Sequence, residues 1–227
     1  MTVAWLRQGD SGYPPALHEY LGDRAPTTLT ATGNLDILRQ KKLALFCSVK
    51  CPGTLILQTY DLACALRNAG VTVISGFHSP MEKECLTLLL RGTQPIVICP
   101  GRGIEKMRLP AEWKAPLAEG RLLLLSPFAE KLRRVTADLA QKRNEFVAAL
   151  ADAVFVAHAA PGSKMELFCH GMLTSGKPLL TLKSDNNNHL LALGARPLTI
   201  SWFDKQWESV PNSGIKSRMG NAESEKR

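Results

Sequence analysis

Ala69-Gly70-Val71-Thr72-Val73-Ile74-Ser75-Gly76 is the stretch whose reading decides the fold. Four consecutive β-branched residues, entered through one glycine and closed by Ser-Gly, are too short for a helix and do not alternate, so they read as a strand buried on both faces. The same pattern repeats on either side. Upstream, Leu43-Ala44-Leu45-Phe46-Cys47 precedes residues 53–68, where Leu55, Leu62, Ala63 and Leu66 recur at helical spacing. Downstream come a helix over 81–90 and then Pro95-Ile96-Val97-Ile98-Cys99, closed by Pro100-Gly101. A strand over 121–125 ends in Ser126-Pro127, and a helix over 134–150 follows, with Ala137, Leu139, Ala140, Phe146, Val147 and Leu150 apolar. Residues 153–157 read as a strand and 164–175 as a helix. Gly176 caps that helix, and Pro178-Leu179-Leu180-Thr181-Leu182 forms the next strand. Strands separated by helices predict an α/β, Rossmann-like, doubly wound and mostly parallel sheet over residues 43–182, with helices on both faces. Strand C-terminal ends then gather at one edge, and a ligand belongs there.

The 227 residues, 45% of them hydrophobic, suffice for one main core with appendages. Residues 1–42, broken by Tyr13-Pro14-Pro15, Ala25-Pro26-Thr27 and Gly33-Asn34, read as a short N-terminal extension. Residues 183–211 contain the polar run Asp185-Asn186-Asn187-Asn188 and the aromatics Trp202, Phe203 and Trp207, expected to pack back on the core. Residues 212–227 read as a disordered tail. A net charge of +8 and a pI near 9.3 suit a polyanionic partner. The start lacks a basic-then-apolar leader, and no apolar run approaches the roughly 20 residues that span a bilayer, so a soluble, cytoplasmic protein is expected.

Cysteines 47, 51, 64, 85, 99 and 169 fall mostly in apolar segments and read as structural thiols; Cys47 and Cys51 lack a second pair to complete a metal site. His78, His158 and His170 stand too far apart in sequence to suggest a metal. Gly101-Arg102-Gly103 lacks the third glycine of a dinucleotide fingerprint, and no Walker lysine motif is present. No metal and no cofactor are expected. Ser75-Gly76 and Pro161-Gly162-Ser163 end strands and open helices, where backbone N–H groups and hydroxyls can face a phosphate. Lys50, Arg102, Arg143, Lys164 and Lys177 lie in or beside such loops, a row suited to a sugar–phosphate backbone.

Taken in order, these turns resemble the DprA/Smf family. Tyr13-Pro14-Pro15-Ala16-Leu17, then Ala25-Pro26-Thr27-Thr28-Leu29 and Thr32-Gly33, are similar to that family's lead-in. Residues 69–76 are similar to its "G..VVSG" turn, and residues 94–104 to its "G.G.D" loop. Residues 119–126 match its "G.LLSE" strand, Arg143-Asn144 its "RNR" helix, and Pro161-Gly162-Ser163 its "SGS" turn. The resemblance implies single-stranded DNA as the ligand, a homodimer, and no catalytic step. Its family roles include loading a recombinase and acting as antitoxin to a phosphoribosyltransferase-like toxin in phage defence. On this chain it implies DNA or phosphate contacts at Ser48, Lys50, Ser75, Gly76, Gly101, Arg102, Arg143, Asn144, Gly162, Ser163, Lys164 and Lys177.

Departures from the pattern are local. Cys47-Ser48-Val49-Lys50-Cys51-Pro52-Gly53 replaces a "G.R..S..G" loop, with Val49 at the basic position and Lys50 as the nearest substitute. The second glycine, the aspartate and the histidine of "SG.A.GID..AH" are absent from residues 75–85, leaving Glu82 to stand in for the aspartate. Glu145 follows Asn144 where a second arginine is expected. A different reading takes Pro161-Gly162-Ser163-Lys164-Met165-Glu166 as similar to the "PGG.GT..E" motif of lysine-decarboxylase-like phosphoribohydrolases, which would make Glu166 catalytic on a nucleoside monophosphate.

Overall fold

A computed structural model describes residues 2–199 and 207–212. In chain order its elements are β1 (Ala4–Arg7), α1 (Ala16–Leu21), β2 (Thr28–Gly33), β3 (Lys42–Phe46), α2 (Gly53–Asn68), β4 (Thr72–Ser75), α3 (Pro80–Leu90), β5 (Ile96–Ile98), α4 (Ala111–Ala118), β6 (Leu122–Ser126), α5 (Ala137–Leu150), β7 (Ala153–Val156), α6 (Lys164–Thr174), β8 (Leu179–Leu182), α7 (Asn188–Ala192) and β9 (Arg196–Leu198). All nine strands form one sheet in the order β1-β2-β6-β5-β4-β3-β7-β8-β9. Every pairing from β6 to β9 is parallel, while β1 and β2 add an antiparallel margin.

Alternate residues of each strand feed two cores. Ala44, Phe46, Ile74, Val97, Leu123 and Val154 point to one face, where α5 (Phe146, Val147, Leu150) and α6 (Cys169) cover them. Leu43, Leu45, Val73, Ile96, Leu122 and Phe155 point to the other, beneath α2 (Leu55, Leu62, Leu66) and α3 (Met81, Cys85, Leu89). Both faces are dry, which is why the strands read as continuous apolar runs. The chain steps outward from β3 through β4 and β5 to β6, then returns to place β7 on the other side of β3. That reversal between β3 and β7 is the crevice where doubly wound sheets bind ligands.

Residues 1–42 contribute two strands and a helix. Tyr13 Oη donates to the Pro26 carbonyl, tying together the two lead-in segments, and Leu17 and Leu29 are fully buried. Gly33 ends β2 at φ +113°, where an added Cβ would lie 2.2 Å from the Leu122 carbonyl oxygen. Only glycine permits β2 to pair with β6 at that point. Trp207 is buried against the core with the Lys41 ammonium 5.6 Å from its ring centre, while Trp202 and Phe203 lie outside the described residues. Asn212 donates to the Arg39 carbonyl, and the rest of the expected tail also lies outside them. The helix expected from 134 begins at Ala137, because Thr136 Oγ1 accepts from Leu139 N and sets the cap there. No described helix is long and apolar enough to cross a membrane.

Candidate nucleic-acid interface

Five loops meet at the strand C-terminal edge, and hydrogen bonds join neighbours among them. Ser48 N donates to the His158 carbonyl at 2.9 Å, and Ser48 Oγ accepts from Ala160 N at 3.4 Å, so the loops after β3 and β7 are paired. Glu82, 3% exposed, accepts from Cys47 N at 3.1 Å and from His78 N at 2.8 Å, joining the loops after β3 and β4. Gly103 N donates to the Leu132 carbonyl, and Ser126 Oγ to the Arg102 carbonyl at 2.8 Å, which joins the loops after β5 and β6. The edge is a preorganised platform, so a ligand would not have to order it on binding.

Glu82, read as the stand-in for a missing aspartate, is a structural hub. It lies in the first turn of α3, where the N-cap Ser79 Oγ accepts from Glu82 N at 3.3 Å. The Arg143 guanidinium lies against Gly76, so close that a Cβ there would sit 1.6 Å from its Nη1. Its pKa is lowered from the ordinary arginine value by burial, with the nearby Glu82 carboxylate opposing that shift. Arg143 Nε donates to Asn144 Oδ1 at 2.8 Å. Arg143 is 4% exposed and sits on α5 beneath the edge, so it supports the turn at Gly76 and does not lie open on a loop. Glu145, the other departure, pairs with Arg24 at 2.7 Å, so its charge is met by the N-terminal segment.

Other expected contacts are corrected outright. Ser75 is fully buried; its hydroxyl donates to the Leu45 carbonyl at 2.6 Å and accepts from Phe77 N, leaving nothing for a ligand. Lys177 precedes β8 and so lies at the opposite end of the sheet. Its ammonium is buried on the Ala149 and Ala151 carbonyls, 3.4 Å from the Tyr20 ring centre. At the start of α6, Ser163 Oγ accepts from Glu166 N, and Glu166 Oε2 accepts from Gly162 N at 2.7 Å. A carboxylate already fills the position that Gly162 and Ser163 were expected to offer a phosphate. Glu166 Oε1 stands 3.7 Å from His189 Nε2, which itself lies 2.8 Å from the Ala159 carbonyl, so the acid of the hydrolase reading braces the start of α6 through Oε2.

The N-terminus of α2 is different. Its N-cap is Pro52, no side chain caps it, and its first turn holds no acidic residue. Exposed Lys50 stands just before it. Among the helices that open at this edge, α2 therefore presents the unneutralised end of its dipole beside a free cation. Further exposed cations went unread in the sequence: Arg108 after β5, and Lys131, Arg133 and Arg134 after β6. The run Lys131-Leu132-Arg133-Arg134 falls between a strand and the helix that follows it, which is the signal that places it at the edge. Half-buried Arg102 and exposed Lys164 complete a row over the ends of β6, β5, β3 and β7. At about 4.8 Å per strand the row spans roughly 19 Å. Lys106 belongs to the same loops but is paired with Glu130. Gly101 is buried behind the row against Val135.

A cavity of about 650 Å³ opens beside Lys50, lined in part by Cys51, Ile56, Tyr60, Met81 and His158. All six cysteines are free. Burial raises the thiol pKa of Cys85 and Cys169 to about 12, well away from thiolate chemistry, whereas a hydrogen bond with Cys47 lowers that of Cys51. Among the described residues no group of three or more His, Cys, Asp or Glu is placed to hold a metal ion.

Comparison with known proteins agrees with this architecture. No curated protein matches the chain. The structure resembles DNA processing protein A from Streptococcus pneumoniae with a TM-score of 0.73 at 22% identity, covering 86% of this chain and 71% of that one. It resembles DNA processing protein A from Helicobacter pylori, whose structure addresses its single-stranded DNA binding mode, with a TM-score of 0.74 at 19% identity over 92% and 97% of the two chains. The molybdenum cofactor carrier protein of Chlamydomonas reinhardtii shares the fold more distantly, with a TM-score of 0.51 at 10% identity over 75% of this chain and 99% of that one. A family model for DNA recombination-mediator protein A matches residues 4–192, and on that match, which runs from β1 to α7, the chain belongs to the DNA recombination-mediator protein A family.

Proposed function

We propose that this protein binds single-stranded DNA along its strand-end edge and catalyses no reaction. The observation that carries this is the row of open cations, Lys50, Arg102, Arg108, Arg133, Arg134 and Lys164, on knitted loops beside the uncapped start of α2. The Helicobacter pylori protein of the same fold binds single-stranded DNA, which supports the choice of ligand. The absence of catalysis is supported by Glu82, whose carboxylate is held by the Cys47 and His78 backbone N–H groups, and by Glu166, whose Oε2 is held by Gly162 N.

Phosphate-led binding to a single strand weakens with salt at a slope of about −0.7 per contact in a log–log plot. With four to five contacts the slope is about −3, so raising monovalent salt from about 50 to 200 mM costs roughly fifty-fold in affinity. Fluorescence anisotropy with a labelled oligothymidylate measures it. Affinity that is flat in salt, or no binding at low salt, rejects the reading.

The protein also forms a homodimer through α6. Leu167 on that helix is 73% exposed, with grooves of about 550 and 710 Å³ on either side of it. About a two-fold axis, the Leu167 of each copy would enter a groove of the other. Sedimentation velocity should show a dimer that Leu167→Glu converts to monomer, weakening association at least tenfold by desolvating a charge. A wild-type monomer at tens of micromolar rejects it.

A further inference from the structure

The cavity beside Lys50 has a wall that backbone binding leaves unexplained. Its volume, about 650 Å³, falls in the range of small-molecule sites. Val49, Ile56 and Met81 make it apolar, and Tyr60 stands in its lining with its hydroxyl donated to Glu84 Oε2 at 3.0 Å. His158 is in that lining too, yet it is only 6% exposed.

The tautomer of the neutral imidazole follows from its neighbour. His158 Nδ1 lies 3.0 Å from Asn187 Oδ1. Asn187 Nδ2 is committed to the Ala157 carbonyl at 2.9 Å, the Leu182 carbonyl at 3.2 Å and Thr181 Oγ1 at 2.9 Å. Thr181 Oγ1 accepts there, because its own proton goes to the Val156 carbonyl at 2.8 Å. The amide therefore cannot be reversed, and its oxygen must face the ring. An acceptor in that place requires Nδ1 to carry the proton, which leaves a lone pair on Nε2 of the neutral ring. No group among the described residues hydrogen-bonds to Nε2. A nitrogen with an unfilled acceptor site, on a histidine in the lining of an apolar and aromatic cavity, matches a flat heterocycle with an N–H at its edge.

We propose that the cavity takes a nucleobase whose phosphate lies at Lys50 and the start of α2, and that His158 Nε2 accepts a hydrogen bond from the ring N–H of that base. The inference rests on the DNA reading above and deepens it into base preference. Thymine and guanine carry a ring N–H on their pairing edge. Cytosine and adenine carry a lone pair there, which would oppose the lone pair of Nε2. The same chemistry could come from a base turned out of a DNA strand or from a free nucleotide.

Two probes separate these sources, oligothymidylate and thymidine 5′-monophosphate, each followed through the histidine ring nitrogens by long-range ¹H–¹⁵N NMR of the full chain. The unliganded protein shows His158 protonated at Nδ1, and oligothymidylate shifts Nε2. Oligothymidylate binds five- to tenfold more tightly than oligodeoxycytidylate, about the worth of one hydrogen bond. His158→Asn keeps an N–H toward Asn187 while removing Nε2, so it remains folded and binds the two oligomers alike. If the mononucleotide alone shifts Nε2, the cavity is a nucleotide site whether or not DNA binds. DNA binding with salt dependence intact, but with Nε2 unmoved and the thymine-to-cytosine ratio unchanged in His158→Asn, overturns the cavity proposal and leaves the DNA reading standing. If neither probe shifts Nε2 and no oligomer binds, both fail.

Discussion

Asn187→Ala will cost about 3–5 kcal/mol of stability, and Asn187→Asp will cost more. Asn187 is fully buried in a turn after β8 and spends its whole amide on partners in neighbouring segments. Removing it strands the buried Ala157 and Leu182 carbonyls and the His158 Nδ1–H, each at about 1–3 kcal/mol, and leaves a small void. Relaxation recovers part of that sum. Asp restores the volume but turns a carboxylate oxygen toward two carbonyl oxygens and the Thr181 hydroxyl oxygen, which are all acceptors. Urea denaturation followed by circular dichroism gives the difference. At about 2–4 °C per kcal/mol for a chain of this size, Asn187→Ala should melt some 10 °C lower. If both variants stay within 1 kcal/mol of wild type, the amide is not fixed, and the tautomer assigned to His158 loses its basis.

That asparagine shows where the sequence stops being legible. The run Asp185-Asn186-Asn187-Asn188 reads as a polar connector, and nothing in it distinguishes the residue that turns inward. The strands β3 to β8 were legible because burial on both faces leaves runs of Val, Ile and Leu bounded by glycine and proline. Four elements outside that run of strands were not. β1 and β2 are short and separated by Pro14, Pro15 and Pro26, and their pairing is antiparallel, outside the repeating unit. α4 holds Pro116 in its interior, against the usual rule, and lasts only eight residues. β9 is Arg-Pro-Leu, tolerable because it is the outermost strand and pairs with β8 alone.

The site divides in the same way. The strand-end edge followed from the order of elements, and Lys50 and Lys164 stand there exposed. Side-chain direction did not follow, and Ser75 and Arg143 turned out to be internal. Lys177 was avoidable, since a residue that precedes a parallel strand lies at the wrong end of the sheet.

Replacing Lys50, Arg102, Arg134 and Lys164 together with glutamine should lower affinity for single-stranded DNA by two to three orders of magnitude near 0.1 M salt, with the melting temperature unchanged. Each of these side chains is exposed or half-exposed, and none has a salt-bridge partner among the described residues, so none is expected to support the fold. Four lost contacts remove about 2.8 from the salt slope at 0.7 per contact, which extrapolates to roughly 600-fold between 0.1 M and 1 M salt. The control set is Arg39, Arg91, Lys114 and Arg196, changed to glutamine in the same way. These positions are off the edge loops, so the same loss of four charges lowers only the long-range field. The edge variant should lose far more affinity than the control, and its slope should flatten while the control's stays near −3. Equal losses in the two variants would mean that net charge and not the row of loop cations holds the DNA, and the strand-end edge would cease to be the site.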